Sequence, residues 1–329
     1  MSNFCGLDVG TMNLVSAKLN NDEAVDIKRL RNIFLEVDKD AAEIMDLSGI
    51  SHTVIDDAMF FIAEDAYNFA NILGKEASRP MSNGMISTKE IDSVDILAVM
   101  VKELIGTSNG GRCCYSIPAD PIDNEMNVIY HQNVFGRIIN ELGFKAEAIN
   151  EATAIVYTEC EASNFSGIGI SFGAGMTNVA LVYKAIPTTV FSIARGGDWI
   201  DLNTANSTGS ISNRVTLLKE NSFSLNNHRS GKKKDRKIKE ALVYYYHDLI
   251  NYTIKSIVRS LEDTAIELPE SLPVIISGGT SLVDGFVEMV KQVIEQYEFP
   301  FEVSEIRHAG NPLTAVAEGC LIRALKYQN

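Results

Sequence analysis

The chain has no apolar run approaching the roughly 18 residues of a membrane span, so no transmembrane helix is expected. Its first residues enter an apolar strand directly, which argues against a signal peptide or an amphipathic N-terminal anchor and for a cytoplasmic protein. Positive charge is also in deficit. A formal net charge of −14 argues against a general nucleic-acid binder and helps repel anionic membranes. Cysteines are few, odd in number and without metal-ligand spacing. Cys5, Cys113, Cys114, Cys160 and Cys320 therefore read as reduced, buried thiols. Histidines His52, His131, His228, His247 and His308 show no ligand spacing either, so surface or capping roles are expected. Low-complexity linkers are absent. With 329 residues, 46% of them hydrophobic, the chain can form two domains, which short crossings must join.

The rest is organised around Gly6-Leu7-Asp8-Val9-Gly10-Thr11-Met12-Asn13-Leu14-Val15. An apolar entry, an acid, a glycine turn with a hydroxyl and apolar alternation to Ala17 predict a β-hairpin turning at Gly10 and Thr11. Free N–H groups and a hydroxyl in such a turn can hold phosphate oxygens. Asp8 would face the same anion, and a carboxylate beside a phosphate makes sense only through a cation, most simply hydrated Mg²⁺. The layout recurs at 169–182, where Gly173-Ala174-Gly175-Met176 separates two apolar strands and Thr177-Asn178 follows. Two phosphate hairpins about 160 residues apart suggest an internal duplication with one nucleotide clamped between the halves. Two unrelated hairpins are the plainer alternative.

Between the hairpins the sequence predicts a third meander strand over Val25 to Arg31 and a small insertion from Asn32 to about Asp65. Helices are expected near 61–74, 92–104 and 124–142, and strands over 113–117 and 145–149. Asn150-Glu151-Ala152 then opens another helix. This alternation implies a mixed, mostly parallel-cored sheet flanked by helices. The second half repeats the plan, with a strand at 189–193, Arg195-Gly196-Gly197-Asp198 before a helix, and a helix at 210–220. Asn226 to Lys239 holds Arg229, Lys232, Lys233, Lys234, Arg236, Lys237 and Lys239, the one basic cluster of the chain. It reads as a solvated loop, with an acidic filament neighbour, anionic lipid or nucleic acid as alternative contacts. A helix over 244–261, a strand over 273–277 and a helix to about 297 follow, then a short strand and a helix over 312–326.

The strand–Gly278-Gly279-Thr280-Ser281–helix unit places glycines where backbone must approach a flat ligand, ahead of a helix N-terminus that attracts oxygens. With the two hairpins and Gly196-Gly197-Asp198 it completes a nucleotide site.

Taken together, segments 6–15, 148–154, 169–178 and 274–281 resemble the actin-like ATPase superfamily, which includes actins, heat-shock chaperone ATPase domains and sugar kinases. Arg79-Pro80-Met81 with Gly84-Met85-Ile86, and Asn311 to Gly319, resemble signatures of bacterial actins of the MreB and MamK type. The resemblance implies an α/β fold of duplicated, ribonuclease H-like domains with an interdomain nucleotide cleft. It implies domain I over 1–150 and 310–329, with an insertion at about 32–78, and domain II over 151–309, with an insertion at about 195–260. It further implies ATP or ADP with Mg²⁺ as cofactor and self-assembly into head-to-tail filaments. Asp8 would hold the metal through water, and Gly10, Thr11, Met12 and Asn13 would line the phosphates. Glu151 would orient the attacking water. Gly173, Ala174, Gly175, Met176 and Thr177 would cradle the β- and γ-phosphates, and Gly278, Gly279 and Thr280 would pack on the nucleoside. Lys219 matches a lysine that flanks the base in relatives.

Two departures stand out. Ser171 occupies the position of the family's second aspartate, and Ala152 that of a proline after the catalytic acid. Losing one carboxylate is expected to leave binding intact and to slow hydrolysis by about 10²-fold or more. A non-hydrolysing nucleotide-binding adaptor and a small-molecule kinase of the same superfamily are the alternatives to a slow filament ATPase.

Overall fold

A computed structural model describes residues 3–38, 52–227, 232–262 and 269–326. The chain divides into two units. The first holds Met1–Ile117, Asn127–Ile149 and Cys320–Asn329, and the second Pro118–Met126 and Asn150–Gly319.

In the first unit, β1 (Phe4–Val9), β2 (Asn13–Leu19) and β3 (Val25–Arg31) form the expected antiparallel meander. β3 lies at the sheet edge with its charged side chains exposed, which discourages pairing with another chain. β4 (Phe34–Val37), β5 (His52–Ile55) and β6 (Ala58–Ile62) make a separate sheet of order β4-β6-β5. Helix α1 (Ala63–Leu73) packs on it, around Ile33, Leu35, Val37, Phe61 and Ala66. These elements fall in the stretch where the sequence suggests a small insertion, and residues 39–51 lie outside the described ones.

β7 (Met81–Ser82) and β8 (Met85–Ile86) pair as a short ribbon, followed by α2 (Ser93–Ile105) and β9 (Gly111–Ile117). Helix α3 (Ile129–Glu141) and β10 (Phe144–Asn150) complete this run. α3 starts at Ile129 rather than at Asn124, as the periodicity suggested. The reason is a competing set of hydrogen bonds. Asp123 Oδ1 accepts from Ala194 N–H at 2.7 Å and Ile122 N–H donates to the Ser192 carbonyl at 2.9 Å, so this strap is held in the second unit. Asn127 Oδ1, accepting from Ile129 N–H at 2.8 Å, starts the helix instead.

The second unit begins α4 (Glu151–Glu159), β11 (Gly167–Phe172), β12 (Thr177–Tyr183) and β13 (Ile186–Ile193). Three helices follow: α5 (Gly197–Thr208), α6 (Ser212–Ser222) and α7 (Lys233–Glu262). β14 (Ser271–Ser277), α8 (Phe286–Ile294), β15 (Glu302–His308) and α9 (Ala315–Lys326) close it, the last passing into the first unit at Cys320. All six residues of β11 are buried, as expected for a central strand covered on both faces.

α7 corrects the reading of the basic run. Ile238 and Leu242 extend the apolar stripe of Tyr246, Leu249, Ile250, Ile254 and Ile257 by one further turn on each side of Lys239, all of them buried. Lys233 to Lys239 is therefore helix, not a solvated loop, and Lys239 itself is buried. Nearby, Arg214 pairs with Asp235 at 2.8 Å and Lys237 donates to the Thr208 carbonyl at 3.4 Å. Arg229 and His228 lie outside the described residues. All five cysteines are buried free thiols, in agreement with the sequence.

The two central sheets carry the same order, β3-β2-β1-β9-β10 and β13-β12-β11-β14-β15. In each, three antiparallel strands come first and the hairpin's leading strand then pairs parallel with the next, β1 with β9 and β11 with β14. That is the duplicated architecture inferred from the two hairpins.

His131 departs from the expected surface or capping role. It is 1% exposed, its ring tilted at 54° to that of Phe135 with centroids 4.9 Å apart, and among the described residues neither ring nitrogen has a partner. Burial pushes it down to about 4, so the unfolded chain takes up this proton near pH 6.5 and the folded one only near pH 4. Its contribution to stability is complete above pH 6.5 and drains as pH falls through that window, by about 3 kcal/mol in all. His131→Leu is expected to raise the unfolding midpoint and to flatten its decline between pH 6.5 and 4, as read by urea titrations across that range.

Candidate functional site

The first hairpin turns through Gly10, Thr11 and Met12, closed by the Gly10 N–H donating to the Asn13 carbonyl at 3.1 Å. Asn32, fully buried, grips the turn twice. Its N–H donates to the Met12 carbonyl at 2.9 Å and its Nδ2 to the Gly10 carbonyl at 3.0 Å. Thr11 Oγ1 accepts from Gly84 N–H at 3.1 Å, which anchors the turn to the β7–β8 ribbon. The carbonyls of Gly10, Met12 and Asn13 are thus all engaged, whereas the N–H groups of Thr11 and Met12 have no acceptor among the described residues.

Asp8 stands at the end of β1, opposite Val15. Its Oδ1 accepts from Ser116 Oγ at 2.8 Å, and the same Ser116 oxygen accepts from Val9 N–H at 2.9 Å. Burial pushes the Asp8 carboxyl up to about 6, and the Ser116 hydrogen bond offsets only part of that.

The second hairpin has the same closure, Gly173 N–H to the Met176 carbonyl at 2.9 Å. The carbonyls on either side of Gly175 are engaged too. That of Gly173 accepts from Gly197 N–H at 3.0 Å and from Thr280 Oγ1 at 2.8 Å, and that of Ala174 accepts from Asp198 N–H at 2.9 Å. The N–H groups of Ala174, Gly175 and Met176 have no acceptor among the described residues. Two glycines make this packing possible. A Cβ on Gly196 would lie 2.5 Å from the Ala174 carbonyl oxygen. One on Gly278, at φ +93°, would lie 2.3 Å from that of Phe172. Thr177 Oγ1 donates to the Arg195 carbonyl at 2.9 Å.

In the second unit the structure therefore brings together the predicted groups Gly173 to Thr177, Gly196 to Asp198, Gly278 and Thr280; Gly279 opens the short turn of helix that holds Thr280. Lys219 joins them from α6. Its Nζ donates to the Gly197 carbonyl at 3.2 Å and pairs with Asp201 at 2.8 Å, both side chains almost buried. Burial pushes Asp201 up, against the pull of Lys219. Removing one partner of a buried pair strands the other charge. Asp201→Ala is expected to lose about 3–5 kcal/mol in thermal unfolding, and Asp201→Ala with Lys219→Met to regain most of it.

Glu151 is the first residue of α4, where Asn150 Oδ1 caps the helix by accepting from Ala152 N–H at 2.9 Å and Thr153 N–H at 3.2 Å. Its carboxylate accepts from Asn178 Nδ2 at 3.2 Å. Ser171 is buried and faces Asn178 across the β11–β12 ladder, with Ser277 beside it on β14. Sequence reading overlooked Ser116, Asn32, Asn178 and Asp201. The first had a usable signal, since the duplicated register sets Ser116 beside Asp8 where Ser277 stands beside Ser171.

Three solved structures share this architecture. MamK, solved as a double helical filament, superposes with a TM-score of 0.70 at 14% identity over 99% of each chain. MreB5 of Spiroplasma citri bound to ADP gives 0.66 at 12% identity over 98% of each chain. The ethanolamine utilization protein EutJ from Carboxydothermus hydrogenoformans gives 0.57 at 16% identity, covering 97% of this chain and 89% of that one. The fold is accordingly the actin-like one, an α/β architecture of two similar domains. No curated protein matches the sequence. The chain belongs to the volactin family, whose profile matches residues 3–324.

Proposed function

We propose that this chain is a cytoskeletal, actin-like protein that binds ATP with Mg²⁺, hydrolyses it slowly and assembles head-to-tail into filaments. The observation that carries the nucleotide is the pattern of engaged and unengaged groups in the two turns. The carbonyls of Gly10, Met12, Asn13, Gly173, Ala174 and Met176, which would repel a phosphate, are committed elsewhere, and N–H groups of Thr11, Met12, Ala174, Gly175 and Met176 are left to attract one. One such turn lies in each unit. Gly196 to Asp198, Lys219 and Gly278 to Thr280 serve the nucleoside end.

Among the described residues no group of three or more His, Cys, Asp or Glu could hold a metal by itself. Asp8 suits Mg²⁺ that arrives already carried by phosphate oxygens and water, because Oδ1 is engaged by Ser116 and Oδ2 can accept from a metal-bound water. The cation would neutralise charge on the phosphates. Glu151, at a helix start, orients the attacking water. MamK was solved as a double helical filament and MreB5 with ADP, which supports extending assembly and nucleotide binding to this chain. Nucleotide state would set the angle between domains, and that angle the strength of an open, heterologous contact.

Calorimetry with MgATP and MgGTP, and sedimentation with and without nucleotide, test this reading. Binding and a nucleotide-dependent pellet are expected. No binding removes the proposal, and binding without a pellet favours the adaptor reading, to which Ser171 lends support. There, phosphate release from wild type against Ser171→Asp decides. Strong release from the variant alone marks a non-hydrolysing adaptor.

A further inference from the structure

Asn178 is fully buried and both of its amide atoms are hydrogen-bonded. Nδ2 donates to Glu151 Oε2 at 3.2 Å, while Oδ1 accepts from Ala119 N–H at 3.0 Å. Only this orientation of the amide satisfies both partners, because a carboxylate needs a donor and an N–H an acceptor. Ala119 lies on the strap of residues 118–126, where the chain leaves the first unit and returns to it. The strap is fastened beside it. Ser192 Oγ donates to the Ala119 carbonyl at 2.7 Å, Ser192 N–H to the Asp120 carbonyl at 3.2 Å, and Asp123 pairs with Arg195 at 3.4 Å. Asn178 thus links this fastened segment to the carboxylate at the start of α4, and its Oδ1 also accepts from Nδ2 of the capping Asn150 at 3.5 Å.

We propose that Asn178 is the positioning residue for Glu151, and that it registers the carboxylate against the 118–126 strap so that a shift of the strap changes the aim of the attacking water. This rests on the ATPase reading above, in which Glu151 meets that water. Asn178 touches neither nucleotide nor water in this role; it acts through Glu151.

The test uses Asn178→Ala and Asn178→Asp in the full chain, with MgATP affinity measured alongside steady-state phosphate release. Asp is nearly isosteric and keeps the acceptor for Ala119 N–H, but it cannot donate to Glu151. Both variants are expected to lose about 10- to 100-fold in kcat, the cost of a misaimed group, with affinity held within about threefold. Retained affinity also reports that the variants fold. If Asn178→Asp releases phosphate like wild type, the residue merely holds the strap and the proposal is overturned. A loss that follows affinity instead of kcat overturns it as well. Ser192→Ala, which loosens the strap, is expected to lower kcat in the wild-type background and to add nothing to Asn178→Ala; additive losses overturn the coupling to the strap. Absence of phosphate release from wild type is a separate result, which removes the ATPase reading and this inference with it.

Discussion

Asp8→Asn is expected to cut MgATP affinity on the order of 100-fold while making the ligand-free protein more stable at neutral pH. Both effects come from one buried carboxylate. Its charged form is disfavoured by burial, so the folded chain holds the Asp8 proton up to about pH 6 whereas the unfolded chain releases it near 3.8. Stability is therefore greatest below pH 3.8 and falls as pH rises through 3.8 to 6, with the whole penalty present at pH 7. That penalty is about 3 kcal/mol. Asparagine retains the acceptor for the Ser116 hydroxyl without the charge, and urea titration without metal or nucleotide should show the gain. Function moves the other way, because a neutral amide attracts a hydrated cation far more weakly. In EDTA the order should invert, with the variant binding free ATP better than wild type once the carboxylate no longer opposes the phosphates. Equal MgATP affinity in the two proteins would rule out Asp8 as the metal contact.

Glu151→Ala is expected to reduce phosphate release by about 10²- to 10⁴-fold, the range for a group that handles the attacking water. Affinity for MgATP should stay within a few-fold, since in the proposed site the hairpin N–H groups would hold the phosphates. The fold should barely notice. A first-turn acid contributes about 0.5 kcal/mol through the helix dipole, and the Asn150 cap remains. Single-turnover hydrolysis with affinity measured in parallel separates the roles. A variant that hydrolyses like wild type would leave Glu151 as a helix-start charge and nothing more.

The elements that sequence located well are those with local causes. The meander over β1 to β3, the Asn150 cap and the strand before Gly278 each rest on a glycine turn, a capping side chain or an apolar run within a few residues. The recurrence of one hairpin motif was enough to infer a duplication, and the matching strand orders bear that out. Two readings failed for a common reason. The start of α3 and the loop assigned to 233–239 were judged on composition, but distant partners decided them. Ala194 and Ser192 drew 122–123 away from a helix, and burial of Ile238 and Leu242 drew a lysine-rich stretch into one.

For the candidate site the division is sharper. Residue types and spacing alone established that two glycine turns, an acid before the first, an acid at a helix start and a Gly-Gly-Thr unit belong to this chain, because turns and helix starts are written in a handful of neighbouring residues. Tertiary structure alone decided which backbone groups in those turns remain unpaired, that Ser116 and Asn32 hold the first turn, and that Asn178 ties Glu151 to the strap. Hydrogen-bond capacity left over for a ligand is a remainder after long-range partners have taken their share, and those partners stand tens of residues away in sequence.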